Sequence, residues 1–303
     1  MTISIAHLGP PGTYAEAAAI AYANKLTRVG QKSILCPYPS IAQTLRAAAG
    51  GETNLAVVPI ENSIEGSVTI TLDTLWQLDN LRVQQALVLP ISHALISLAT
   101  EVEEIKTVYS HPQALSQCQN WLERYLPKVQ LIPTNSTTEA LQHLEKEKSA
   151  GAISSQRAAA LYKLPILEFP INDNPDNCTC FWILKDESKE QINELTDEEK
   201  EFLENSRVVM DVEGDRSYTS LAFSVPANLP GALVNPLKVF ADRGINMTKI
   251  ESRPTKKSLG DYLFFIDLEA DASLDVVKEA LEEVTAYTET LKLFGSYKIL
   301  AMD

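Results

Sequence analysis

The sequence predicts an α/β protein followed by a smaller ferredoxin-like unit, and three observations carry that prediction. Over residues 1–185, short apolar and β-branched runs alternate with helix-like segments, the pattern of α/β layers built on largely parallel sheets. Residues 186–206 break the composition, with nine acids against two lysines. Residues 207–303 then read strand, helix, strand, strand, helix, strand, the βαββαβ order of a ferredoxin-like fold.

Each element follows from its residues. Ile3–Leu8 is apolar and β-branched, a strand, and Tyr14–Lys25 is alanine-rich and helical. Ser33–Tyr38 reads as a strand, Ile41–Ala49 as a helix and Leu55–Ile60 as a short buried strand. Further on come strand Lys106–Tyr109, helix Pro112–Tyr125, strand Val129–Ile132 and helix Thr137–Lys146. Strand Gly151–Ile153, helix Gln156–Tyr162 and strand Thr179–Leu184 complete the first part. The acidic stretch is a solvated linker with a short helix at Asp197–Glu204. The last part has strands Val208–Val212 and Leu221–Val225, then a helix from about Ala232 to Arg243. Pro236 should kink that helix or push its start later. Strands Asn246–Ser252 and Tyr262–Leu268, helix Leu274–Val284 and strand Thr290–Leu300 follow.

Composition excludes several classes of function. The 303 residues carry a net charge of −14, which disfavours duplex DNA and anionic membrane as partners. Half of that excess lies in residues 186–206, so the first part is nearly neutral. There is no apolar run long enough to span a bilayer and no secretory leader pattern at Met1–Ile5. Four cysteines in so long a chain suggest reduced thiols in a cytoplasmic protein. His7, His93, His111 and His143 show no metal-ligand spacing, and no metal is expected. Serine-hydrolase, phosphate-loop and dinucleotide motifs are lacking in any supporting context.

What remains is a set of helix starts. Thr13–Glu16, Ser110–Gln113 and Ser136–Glu139 each place a hydroxyl three residues before Glu or Gln, a capping box. Each box explains itself as a cap on its own helix. Together they put free amides at the carboxyl ends of strands, where an acidic protein can hold a carboxylate without Lys or Arg. Arg157 and Lys163 are either charged helpers or ordinary surface cations. The polar run Glu61-Asn-Ser-Ile-Glu-Gly-Ser67 after a buried strand is a site loop or a capped turn. In Asn177-Cys-Thr-Cys-Phe181, alternation sets Cys178 and Cys180 on one face and Thr179 and Phe181 on the other. A Cys-x-Cys pair can ligate metal, but no second pair stands beside it.

These residues, taken in order, resemble the bacterial prephenate dehydratase family with a C-terminal ACT regulatory domain. Gly9-Pro-Pro-Gly-Thr-Tyr14 is similar to its GPxGT motif, Glu61-Asn62-Ser63 to its ENS loop and Ser110-His-Pro-Gln-Ala-Leu115 to its SHPQAL signature. Ser136-Thr137 with Ala140 is similar to its STxxA element, and Ala152–Ser155 with Ala158, Ala159 and Tyr162 to a helix entry. Gly231-Ala232-Leu233-Val234 and Glu251-Ser252-Arg253-Pro254 are similar to its GALV and ESRP motifs. The family's NxTRF motif reads Asn177-Cys-Thr-Cys-Phe here, with Cys180 where the family has arginine. A thiol supplies neither the guanidinium's charge nor its forked hydrogen bonds.

The resemblance implies a catalytic domain at 1–185, an acidic linker at 186–206 and an ACT domain at 207–303. The catalytic domain is expected to have two α/β lobes around a central cleft, with chain crossings near 77–80 and 168–175. It implies conversion of prephenate to phenylpyruvate with loss of carbon dioxide and water, and no cofactor. Thr179 is the implied catalytic residue. Thr13, Glu61, Asn62, Ser63, His111, Gln113, Ser136, Thr137, Ser154 and Phe181 are the implied substrate contacts. L-Phenylalanine is the implied effector, held by Gly231, Ala232, Leu233, Val234, Glu251, Ser252, Arg253 and Pro254 between protomers of a homodimer or homotetramer. Two alternatives stay open: an arogenate dehydratase, and a catalytically weakened phenylalanine sensor.

Overall fold

The computed structural model describes residues 2–189, 216–226 and 230–302. The expected strand Val208–Val212, helix Asp197–Glu204 and most of the acidic stretch lie outside the described residues. Among the described residues no helix is long and apolar enough to cross a membrane.

The first lobe runs β1 (Thr2–Leu8), α1 (Tyr14–Arg28), β2 (Lys32–Tyr38), α2 (Ile41–Gly50), β3 (Leu55–Asn62), β4 (Gly66–Ser67), α3 (Thr69–Gln77) and β5 (Leu81–Pro90). The second lobe runs β6 (Ala94–Ser97), β7 (Thr107–Ser110), α4 (Pro112–Ser116), α5 (Gln119–Tyr125), β8 (Gln130–Pro133), β9 (Ala150–Ser154), α6 (Gln156–Tyr162) and β10 (Ile166–Glu168). Then β11 (Cys178–Asp186) returns to the first lobe between β3 and β5. β1 pairs in parallel with both β2 and β3, and its Ile5 and Ala6 are fully buried, as an inner strand covered on both faces requires. The second lobe is a separate five-stranded sheet in the order β10-β6-β9-β7-β8.

Four expectations are corrected here. The first crossing lies at residues 91–93 rather than 77–80, because Leu81–Pro90 is a strand of the first lobe, paired along its length with β11. The expected helix 112–125 is two helices. Asp173 captures the amides of Asn120 and Trp121 at 2.9 and 3.0 Å, and a new helix starts there. The expected helix 137–146 is a 3-10 turn at Glu139–His143. Finally, Ser110 does not cap α4. Its hydroxyl donates to the Ile153 carbonyl at 2.7 Å, and the neutral His111 ring caps α4 by accepting from the Gln113 amide at 3.3 Å.

The lobes are locked together around Gly12. Its φ of +91° suits glycine, and a Cβ there would stand 3.2 Å from the Ala158 Cβ. The Ser155 hydroxyl donates to the Gly12 carbonyl at 3.1 Å, and Arg157 pairs with Glu16 at 2.9 Å. Arg157 is therefore a clasp between lobes. Lys163 ends α6 in the left-handed region.

The C-terminal part comprises β12 (Ser217–Ser224), α7 (Val234–Asp242), β13 (Met247–Pro254), β14 (Tyr262–Leu268), α8 (Asp275–Thr285) and β15 (Thr290–Ala301). Pro236 falls in the first turn of α7, where its missing N–H costs no helical bond. One face of this sheet, with Leu221, Phe223 and Ile266, packs on Val239 and Phe240 of α7 and on Val277 and Ala280 of α8. The other face closes on the first lobe, joining Phe265, Phe294 and Tyr297 to Leu72, Leu75 and Trp182. Tyr297 meets Trp182 edge-on at 5.6 Å, a pair worth about 0.5–1.5 kcal/mol beyond burial. At its end β15 continues beside β5: Ile299–Ala301 pair in parallel with Ala86–Val88, so one sheet runs through both parts.

Cations from the C-terminal part fasten it to the first lobe. The Lys292 ammonium donates to the carbonyls of Leu75, Trp76 and Leu78 at the end of α3, favourable at the negative pole of a helix. Arg253 makes a forked contact with Asp73 of α3 at 3.2 and 3.1 Å, and Lys256 adds a third at 2.7 Å. Burial opposes the charge on Asp73, but the hydrogen bonds from Arg253 and Lys256 outweigh it and hold the carboxyl below its ordinary range. A depressed carboxyl gives stability that is whole above the unfolded value near 4 and is lost as pH falls through the folded value. Asp73→Asn is expected to cost about 1 kcal/mol at pH 7. Its melting temperature should converge with that of the parent chain below pH 4, and parallel curves from pH 7 to pH 3 would refute the clamp.

Candidate active site

A cavity of about 660 Å³ lies where the two lobes meet, the size of a small-molecule site. The first lobe contributes Thr13, Tyr14, Asn62, Thr179 and Phe181, and the second contributes His111, Gln113, Gln117, Ser136 and Thr137. Among the described residues, none that lines it is Lys or Arg. Any anion held here is therefore met by amides, hydroxyls and neutral rings, the arrangement expected at helix starts. Glu139, the one carboxylate on the wall among the described residues, is turned onto the Asn135 amide at 2.9 Å.

A buried amide chain fixes the Thr179 hydroxyl. The Asn62 Nδ2 donates to Asn177 Oδ1 at 2.8 Å and to Thr179 Oγ1 at 3.0 Å, a hydrogen it shares with the Cys178 carbonyl at 3.0 Å. The Asn177 Nδ2 donates to Gln117 Oε1 at 3.0 Å, and the same oxygen lies 2.9 Å from His93 Nε2. With Gln117 Oε1 as acceptor, that ring nitrogen carries the hydrogen. Burial holds His93 below the usual imidazole range, so the ring is neutral. At the other end, Asn62 Oδ1 accepts the amides of Ile64 and Glu65, each at 3.1 Å, in an Asx turn that shapes the loop. Because Thr179 Oγ1 receives Asn62's hydrogen, its own hydrogen is left to donate. Buried Gln117 Nε2 and His93 Nδ1 have no hydrogen-bond partner among the described residues.

Of the sequence-derived site residues, Thr13, Asn62, His111, Gln113, Ser136, Thr137, Thr179 and Phe181 line the cavity. Three lie off its wall. Glu61 turns outward and pairs with Lys249 of β13 at 2.9 Å. The Ser63 hydroxyl accepts from the Cys178 amide at 3.0 Å, clipping the loop to β11. Ser154 is fully buried in the second lobe's sheet. Sequence reasoning missed His93, Gln117 and the Tyr14 hydroxyl, which donates to the Ser92 carbonyl at 2.5 Å. Gln117 stands one turn after Gln113, a signal that was available. Gly231–Val234 and Glu251–Pro254 are not among the lining residues; they lie at the start of α7 and along β13.

Comparison with known proteins places this architecture. The prephenate dehydratase family profile matches residues 5–189, and the ACT domain profile matches residues 219–286. A prephenate dehydratase of Lactococcus lactis subsp. cremoris is 34% identical, with 99% of each chain aligned. The crystal structure of prephenate dehydratase from Arthrobacter aurescens, in complex with L-Phe, superposes with a TM-score of 0.80 at 30% identity, covering 98% of this chain and 90% of that one. A protein described as a novel type of quorum-quenching acylase superposes at 0.74 with 25% identity, over 97% of each chain. The chain belongs to the prephenate dehydratase family and carries an ACT domain in its C-terminal part.

Proposed function

We propose that this chain converts prephenate to phenylpyruvate, releasing carbon dioxide and water, in phenylalanine biosynthesis. The observation that carries the reading is the Thr179 hydroxyl, held by Asn62 at the wall of a cavity lined, among the described residues, by no Lys or Arg. In the reaction the ring carboxylate leaves as carbon dioxide, and its bonding electrons enter the ring. The para C–O bond breaks, and one proton joins the departing hydroxide to give water. Aromatisation drives the step, so no electron sink is required. The difficult event is expelling hydroxide, which needs a donor. Thr179 supplies that hydrogen bond, and Asn62 stabilises the oxygen as charge grows on it. Amides and hydroxyls at Thr13, Ser136 and Thr137, with His111 and Gln113, hold the substrate's carboxylates, and Phe181 walls the ring.

L-Phenylalanine binds the ACT domain through Gly231–Val234 and Glu251–Pro254, between protomers of a cytoplasmic homo-oligomer. Three things support this: the L-Phe complex of the Arthrobacter relative, the four free cysteines, and β13 as the terminal strand of its sheet. Val234, which ends the first motif, and Ile250, which precedes the second, are 62% and 50% exposed, surface that a second protomer would cover.

The test is phenylpyruvate formation by the purified chain, with arogenate as the rival substrate. Turnover of prephenate, inhibited by phenylalanine, is expected. Phenylalanine binding without turnover of either substrate would identify a sensor instead, and preference for arogenate would reassign the substrate.

A further inference from the structure

Cys180 sits directly behind the cavity wall. Thr179 and Phe181 face the cavity, while the side chain of Cys180 enters the contact with the ACT domain and packs in the shared core. It stands opposite Glu61 in the β11–β3 ladder. Burial, with the charges of Asp267 and Glu61, pushes its thiol up to about 12, so Cys180 contributes no charge. Yet two carboxylates face this spot. Asp267 is half-buried, its carboxyl pushed above the ordinary range by desolvation; it accepts from the Ser220 hydroxyl and stands opposite Lys249 in the β13–β14 ladder. Glu61 lies on the catalytic side. The cation between them is Lys249, with its ammonium 2.9 Å from Glu61 and its side chain 16% exposed.

Glu61 is adjacent to Asn62. Anything that moves Glu61 reaches the amide that holds Thr179 Oγ1 and the Asx turn at Ile64 and Glu65. Lys249 is also two residues before Glu251 on the same strand.

We propose that Lys249 is a positioning residue for the dehydratase site: from the ACT domain it supplies the positive charge that position 180 lacks in this chain. By holding Glu61 it fixes Asn62, and through Asn62 the hydroxyl of Thr179. The ACT domain is therefore part of the working active site, joined to it by a contact on the strand that carries the effector motif. This inference rests on the dehydratase reading, so its test includes a readout that needs no turnover.

The experiment compares Lys249→Met, Lys249→Arg, Cys180→Arg and the double variant Lys249→Met/Cys180→Arg in the full chain. Lys249→Met should lower kcat on the order of tenfold with KM within about twofold, because geometry is disturbed and not substrate binding. Amide exchange at Ile64 and Glu65 should quicken by about fivefold or more. Lys249→Arg should stay within about threefold of the parent, and adding Cys180→Arg to Lys249→Met should restore most of the loss. Parental kcat and exchange in Lys249→Met would overturn the proposal, as would a folded double variant no better than Lys249→Met. Should chains with Cys180→Arg fail to fold, Lys249→Arg decides: like the parent it supports the proposal, like Lys249→Met it overturns it. A parent chain inactive on prephenate removes the dehydratase reading, while the exchange comparison still judges the contact.

Discussion

Replacing Thr179 by alanine is expected to lower kcat by about 10²–10⁴-fold, the range for a group that gives a hydrogen to a leaving atom in the transition state. The reason lies in the direction of the hydrogens. Thr179 Oγ1 accepts from Asn62 at 3.0 Å, so the hydroxyl's own hydrogen is free for a ligand in the cavity. An isolated threonine hydroxyl is a very weak acid. In the proposed mechanism it works by sharing its hydrogen with departing hydroxide while Asn62 meets the charge left on oxygen. Thr179→Ser keeps oxygen and partner, loses only the methyl group that fixes the rotamer, and should stay within about tenfold of the parent. KM should change little in both. Steady-state kinetics with prephenate decide the matter: equal kcat in all three chains would remove Thr179 from the mechanism.

Asn62 should matter nearly as much, and for two separable reasons. It is 5% exposed, its amide nitrogen serves Thr179 and Asn177, and its oxygen holds the Ile64 and Glu65 amides. Asn62→Ala strands buried groups on both sides, at about 1–3 kcal/mol of stability, and should reduce kcat on the order of 10²-fold. Asn62→Asp keeps the oxygen that makes the Asx turn but replaces the donor with a second acceptor. The Thr179 hydrogen is then drawn toward residue 62 and away from the substrate. It should lose activity as Asn62→Ala does while retaining slow amide exchange at Ile64 and Glu65. Because the two residues act as a unit, Asn62→Ala added to Thr179→Ala should cost little more activity than Thr179→Ala alone. Fully additive losses would show that they act independently.

What could be seen in the sequence was local. Helix starts with side-chain caps, such as Thr13 and Ser155, and strands with continuous apolar runs, such as Leu55–Ile60, are specified by neighbouring residues. Leu81–Pro90 carries Arg82, Gln84 and Gln85 among its apolar residues, so it did not stand out, and the lobe crossing moved with it. The break between α4 and α5 depends on Asp173, more than fifty residues away. The site divides in the same way. Residues that sit in motifs and face the cavity could be named. His93 and Gln117 owe their place to an amide chain that closes only when both lobes fold. Glu61 turns outward because Lys249, 188 residues later, meets it.

The three-residue pairing of Ile299–Ala301 with Ala86–Val88 has a consequence for handling and evolving this protein. Without it, β5 is the outermost strand of the first lobe's sheet, ten residues long and rich in Leu and Val. An unprotected edge of that kind recruits other strands, and the usual result is aggregation. Leu300 and Met302 also close the apolar cluster beneath α1. A gene trimmed after the catalytic segment would therefore yield an insoluble product before it yielded a deregulated one. Selection against that outcome would keep the two modules fused whether or not an inhibitor is ever present.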